Sequence, residues 1–128
     1  MIVGADPYTP TATDNRREHV GWGFPNVNNL YTRRDAFTVI PEDAPIAQGE
    51  THVYEVEVQP GETWLKVCMT YLDPAPVLAA AIDRVNDLTL RVTSPDGFQF
   101  WGNGGLVGAA QGTSSAAGGS ADTLDTVE

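Results

Sequence analysis

Residues 86–103 read NDLTLRVTSPDGFQFWGN, and they hold the clearest structural signal in the chain. Apolar residues recur at every second position on both sides of the four-residue segment SPDG, namely Leu88, Leu90 and Val92 before it and Phe98 and Phe100 after it. A period of two is typical of a strand with one buried face. SPDG places proline at the second position of a tight turn. The stretch therefore predicts a β-hairpin.

Strand-like patterns also precede the hairpin. Residues 51–59, THVYEVEVQ, alternate strictly, and the turn-forming sequence QPGE follows them. Residues 64–72, WLKVCMTYL, carry apolar groups on both faces, as a central strand does. Short strands separated by turn signals predict a mainly β fold, an antiparallel sandwich or barrel of about five strands.

The two flanking regions carry different signals. Asn26 is a favourable N-cap for a short helix from about Val27 to Arg34, and the polar residues before it predict an irregular arm. After Asn103 the composition changes to glycine, alanine and serine, which predicts a flexible loop over residues 104–121.

Charge and composition exclude several classes of partner. The chain of 128 residues has 17 acidic and 7 basic side chains, a net charge of −10, which disfavours nucleic acid and anionic membranes. Cys68 is the single cysteine, so neither an internal disulfide nor a cysteine-rich zinc site is expected. No apolar run approaches the roughly 20 residues that span a bilayer, and the N-terminal sequence lacks the features of a signal peptide. We therefore expect neither nucleic acid nor membrane as a partner.

Two motifs occur in a specific order. The first is Gly21-Trp22-Gly23 with Asn26 and a short helix after it, and the second is residues 69–103, with NDL, SPDG and GN in succession. The first resembles the stretch with which the catalytic domains of subtilisin-like serine proteases (subtilases) end. The second is similar to the jelly-roll β-sandwich appended to some secreted subtilases, and a related pattern occurs in the P-domain of proprotein convertases.

This resemblance implies a division of the chain into two parts. Residues 1–35 would be the end of a catalytic domain, and residues 36–128 would form an antiparallel jelly-roll-like sandwich. Gly21, Trp22, Gly23 and Asn26 would form the joint between them. The family pattern places the catalytic motifs before Met1 and the closing strands after Glu128, so the sandwich would be incomplete. The parent enzyme would be secreted or extracellular.

The segment GTSSA at residues 112–116 looks like the nucleophile motif of the same family. In subtilases, however, the nucleophile precedes the Gly-aromatic-Gly segment and starts a buried helix, whereas Ser114 follows that segment and lacks apolar periodicity around it. The two histidines that could serve as a base lie in the polar arm (His19) and at a strand start (His52). We therefore predict no catalytic residue and no enzymatic activity for this chain alone, although the parent would be a serine endopeptidase.

Oxygen-bearing side chains crowd the loops around the hairpin and suggest calcium as a cofactor. Calcium prefers carboxylate and carbonyl oxygens, and the resemblance adds support because subtilase jelly-rolls are often calcium-stabilised. The alternative is that these side chains cap turns, and no EF-hand spacing is present. The candidate ligands are Asp73, Asp83, Asn86, Asp87 and Asp96.

The resemblance implies a non-catalytic accessory domain that packs against the catalytic domain of its parent and supports its stability. A free-standing module that binds carbohydrate or a cell-surface protein is the alternative, with Trp101 as the most exposed tryptophan. Missing strands would leave open sheet edges, which predicts either a homodimer or pairing of an edge with the chain's own C-terminal segment.

Overall fold

The computed structural model describes residues 2–6, 21–41, 43, 45–82, 84–105, 115–123 and 125–128. None of the helices in these ranges has the length and hydrophobicity that a bilayer-spanning segment needs. The elements, in chain order, are a 3-10 turn at Ile2–Gly4, helix α1 at Val27–Thr32, a second 3-10 turn at Arg34–Ala36, strand β1 at Arg91–Thr93 and strand β2 at Gln99–Trp101.

Helix α1 begins at the predicted N-cap. Asn26 has extended backbone angles, and its side-chain oxygen accepts a hydrogen bond of 2.8 Å from the Asn29 N–H. This bond satisfies a backbone donor that has no partner within the helix. The Asn26 side chain also donates to Asp6 at 2.8 Å, and Asp6 and Phe24 exchange two backbone hydrogen bonds of 2.9 Å. The helix and the first residues of the chain therefore form one small unit.

Strands β1 and β2 form the predicted hairpin. The turn between them is closed by backbone hydrogen bonds of 2.9 Å from Ser94 to Phe98 and from Gly97 to Ser94. Gly97 has a φ of 85°, a backbone conformation that glycine adopts readily and that residues with a Cβ atom rarely adopt. The antiparallel register pairs Arg91 with Trp101, Val92 with Phe100, and Thr93 with Gln99.

Two single bridges attach the C-terminal residues to this hairpin and to an earlier segment. Gly118 lies parallel to Phe100 and donates its N–H to the Gln99 carbonyl at 2.8 Å, so the outer edge of β2 pairs with the chain's own C-terminal part. Thr70 pairs antiparallel with Val127. These contacts bring together residues that lie far apart in sequence.

The predicted jelly-roll sandwich is wrong. The described residues contain one sheet of two strands, β1 and β2. Residues 51–59 and 64–69 are assigned to no strand. Alternation selects which side chains share a face, but a strand also needs a neighbouring backbone for its N–H and C=O groups. Among the residues described, none supplies that neighbour to 51–58 or 63–68.

Burial is correspondingly limited. In the part of the chain that the structure describes, Ala5 is the one buried apolar residue, and no side chain is completely buried. Gly4, Gly102 and Glu128 are also buried. Glu128, at 3% exposure, is the one buried acidic residue of the described part, and a buried carboxylate is costly unless it is paired or hydrogen-bonded.

Candidate functional site

The proposed calcium ligands Asp73 and Asn86 lie side by side, and they form hydrogen bonds with each other. Asp73 accepts hydrogen bonds from the Val85 N–H at 2.6 Å and from the Asn86 N–H and side-chain amide at 2.9 Å each. Desolvation acts to raise the pKa of Asp73, yet these hydrogen bonds outweigh it and the pKa lies below its ordinary value. Asp73 therefore fixes the chain at residues 85–86.

The other candidate ligands are separated from this pair. Asp87 forms an ion pair of 2.9 Å with Arg84, whose side chain is only 6% exposed. Asp96 is exposed in the hairpin turn, and Asp83 lies outside the described residues. Among the residues placed by the structure, no three His, Cys, Asp or Glu side chains are arranged to hold a metal ion. The structure thus assigns Asp73 and Asp87 partners within the protein, and calcium binding stays a prediction.

The joint residues lie beside helix α1. Trp22 and Gly23 line an apolar pocket of about 160 Å³ together with Ile2, Ala5 and Pro25. Gly21 has a φ of 60° in the turn that leads into this pocket. Asn26 caps the helix and holds Asp6, as described above. The motif is therefore built into the N-terminal unit.

His52 is held between two neighbours on an exposed segment. Its Nε2 lies 3.1 Å from Glu50 Oε1, and its Nδ1 lies 3.4 Å from the Tyr54 hydroxyl. A hydrogen bond from the Ala47 N–H, with the His52 contact second, holds the pKa of Glu50 below its ordinary value. Ser114 and His19 lie outside the described residues, so the structure does not bear on a contact between Ser114 and either histidine.

One polar cluster of the described part was not predicted from the sequence. Asn103 donates its side-chain amide to Asp122 at 2.7 Å and to the Val127 carbonyl at 2.9 Å. Asp125 lies 3.5 Å from the same amide, and its N–H donates to Asp122 at 3.4 Å. We name Asn103, Asp122, Asp125 and Glu128 the C-terminal acidic cluster.

Glu128 is the buried member of this cluster. Its Oε2 accepts the Leu90 N–H at 2.8 Å, and its main chain exchanges two hydrogen bonds with Met69, of 3.0 Å and 2.7 Å. Two buried oxygens, Glu128 Oε1 and Asn103 Oδ1, have no hydrogen-bond partner. Desolvation is the largest influence on the pKa of the Glu128 carboxyl and raises it. The hydrogen bond from the Leu90 N–H acts in the opposite direction, and the negative charge of Asp122 raises the pKa further.

Sequence reasoning missed this cluster because its members are distant along the chain. Asn103 ends the hairpin region, whereas Asp122, Asp125 and Glu128 belong to the segment DTLDTVE at residues 122–128. The available signal was the recurrence of Asp122, Asp125 and Glu128 every three residues. That spacing does not indicate a meeting with Leu90 or Met69.

Comparison of the chain with protein-family models, with curated proteins and with solved structures gives no match.

Proposed function

We propose that this chain is a non-catalytic accessory segment of a subtilisin-like serine protease, which packs against the catalytic domain of its parent and supports its stability. The observation that carries the proposal is a run of large, exposed apolar side chains on residues that pair with no strand in the described part of the chain. We call residues 53–67 the apolar segment. Its exposed members are Val53, Tyr54, Val56, Val58, Trp64, Leu65 and Val67.

The energetics of the apolar segment favour a large protein partner. Val53 is 81% exposed and Trp64 is 54% exposed. Burying one large apolar side chain stabilises a protein by roughly 1.5–3 kcal/mol. An adjacent strand would also satisfy the backbone groups of residues 51–58, as in recognition by strand addition. A folded domain can supply both the apolar surface and the strand edge.

The N-terminal unit supports the choice of partner. It presents Gly21-Trp22-Gly23 next to a helix capped by Asn26, the arrangement on which the resemblance to the end of a subtilase catalytic domain rests. The hydrogen bonds between Asp6, Phe24 and Asn26 hold that motif in a defined place about an apolar pocket. We expect this motif to pack against a neighbouring domain.

The first test concerns the genomic and transcript sequence on both sides of this reading frame. We expect an upstream in-frame stretch that encodes Asp, His and a helix-starting Gly-Thr-Ser. Flanking sequence without any protease motif would contradict the proposal.

The second test is co-purification of this chain with the catalytic domain encoded upstream, expressed as a separate polypeptide. We expect a complex that is lost when Tyr54, Val56 and Val58 are all replaced by serine. The matched control replaces Glu55 and Glu57, which alternate with them, by glutamine, and should leave the complex intact. Loss of binding in both variants, or in neither, would show that the apolar segment does not carry the contact.

The third test is hydrolysis of casein by the chain alone, which we expect to be absent. Activity that disappears in Ser114→Ala would contradict the non-catalytic assignment.

The fourth test separates the accessory role from the carbohydrate-binding alternative. The tryptophan predicted to be most exposed, Trp101, is half-buried, and the Arg91 guanidinium lies over its ring at 5.6 Å. Trp64 is the more exposed ring. Retention of the chain on insoluble cellulose, abolished by Trp64→Ala, would favour a binding module over an accessory segment.

A further inference from the structure

Glu128 links three separate segments of the chain. Its main chain pairs with Met69, its carboxylate accepts the Leu90 N–H, and its side chain packs against Gly102. The adjacent Val127 pairs with Thr70 and receives the Asn103 amide on its carbonyl. Residues 127–128 therefore close the gap between the hairpin and residues 69–70, and we call them the latch.

The latch places a carboxylate where one of its two oxygens accepts no hydrogen bond. A carboxylate in water accepts hydrogen bonds at both oxygens, but Glu128 is 3% exposed and its Oε1 accepts none. Asn103 Oδ1 is the second buried acceptor without a donor. Asn103 follows Gly102 in the chain, and the Glu128 side chain contacts Gly102. Two acceptors cannot satisfy each other unless a proton lies between them.

The charges around Glu128 disfavour its ionised form. Asp122 and Asp87 face it with negative charge, and Asp125 is joined to the same cluster through Asn103. The positive group that acts on Glu128 is Arg84, whose guanidinium is committed to Asp87 at 2.9 Å and to the Asp125 carbonyl at 3.0 Å. The surroundings thus carry more negative than positive charge.

We propose that acid strengthens the latch. Glu128 takes up a proton from solvent on Oε1, and the resulting O–H donates a hydrogen bond to Asn103 Oδ1, which closes residues 127–128 onto the hairpin. The proton satisfies both unpartnered oxygens and removes a buried negative charge. When the carboxyl loses this proton as the pH rises, the latch is held more weakly.

The direction of the pKa shift agrees with this geometry. Burial raises the pKa of Glu128 above its ordinary value of 4.5, so the closed latch binds a proton more tightly than the open latch does. The stabilisation is complete below pH 4.5 and is lost as the pH rises through the higher pKa of the closed state.

The direct test is an NMR titration of the Glu128 side-chain carboxyl carbon in the full chain. We expect its midpoint above 4.5. A midpoint at or below that value would overturn the proposal. This measurement needs no variant, so a folding defect cannot obscure it.

The second test is hydrogen exchange at the amides of Met69 and Glu128, which the latch protects. After correction for intrinsic rates, protection should be higher at pH 4 than at pH 7, by about tenfold for each unit by which the pKa is raised. Glu128→Gln carries a neutral group with its own N–H donor, so protection at pH 7 should approach the acid value. The control Glu62→Gln changes an exposed glutamate that pairs with Arg33, and should leave both amides unaffected.

Two further results would refute this proposal. One is a pH dependence of protection that is the same in Glu128→Gln as in the original chain. The other is recovery of full protection at pH 7 on addition of calcium chloride, because this would show that the two oxygens hold a cation in place of a proton.

Discussion

Replacement of Gly102 by alanine should open the latch without altering its polar groups. Gly102 is buried, and a Cβ atom at this position would overlap Glu128 at both Cβ and Oε2. The overlap cannot be relieved by bending the tip of a flexible side chain, because it includes the first side-chain atom of Glu128. Residue 128 must therefore move away from the hairpin.

The cost follows from the contacts that Glu128 makes. Overpacking at a filled site costs about 1–3 kcal/mol. If Glu128 swings out instead, the Leu90 N–H loses its acceptor, and a partly buried donor without a partner costs a similar ~1–3 kcal/mol. Either route lowers the free energy of latch opening by that amount, which corresponds to a loss of amide protection of roughly 5- to 150-fold.

The assay is hydrogen exchange at Met69 and Glu128, with the Ser94 amide in the hairpin turn as an internal reference that should not change. The same substitution in a Glu128→Gly background should cost much less, since the side chain that it displaces is gone. Unchanged protection at Met69 and Glu128 in Gly102→Ala would refute the packing of Glu128 on Gly102.

Three further substitutions test other parts of the fold. Asn26→Ala removes the cap of helix α1 and its bond to Asp6, so helix stability should fall by about 1 kcal/mol, seen as faster exchange of the Asn29 amide. Asp73→Asn should loosen residues 85–86 at neutral pH. Because the pKa of Asp73 is lowered from 3.8, its contribution to stability is present above that pH and is lost as the pH falls through the lower pKa of the folded state. The stabilities of the original chain and the variant should therefore converge in acid. Gly97→Ala places a side chain at positive φ and should destabilise the hairpin by roughly 1–2 kcal/mol, measured from the exchange of the Ser94 amide, whereas Gln99→Ala at an exposed strand position should have little effect.

Local features of this fold were predictable because their interactions span few residues. The cap at Asn26 joins residues three apart, and the hairpin turn joins Ser94 to Phe98, four apart. In both cases the residue types that form the contact lie within one short window of the sequence. The helix end was less well defined: the helix stops at Thr32, two residues before the predicted end at Arg34, where a 3-10 turn begins.

The sandwich prediction failed for a physical reason that also explains the missed cluster. The apolar patterns of residues 51–59 and 64–72 show which side chains would share a face of a strand, but not that a second backbone is present to pair with it. Likewise, the spacing of Asp122, Asp125 and Glu128 does not reveal that Asn103, Leu90 and Met69 surround them.

The hairpin and the helix cap could be predicted because both depend on residues that are neighbours along the chain, and the negative charge follows from composition alone. The burial of Glu128 beside Leu90, 38 residues away along the chain, with a hydrogen bond to one carboxylate oxygen and none to the other, is visible only in the folded structure. Burial and hydrogen bonding depend on which distant backbone arrives beside a side chain. That arrangement is set by the packing of the chain, which no short window of residues encodes.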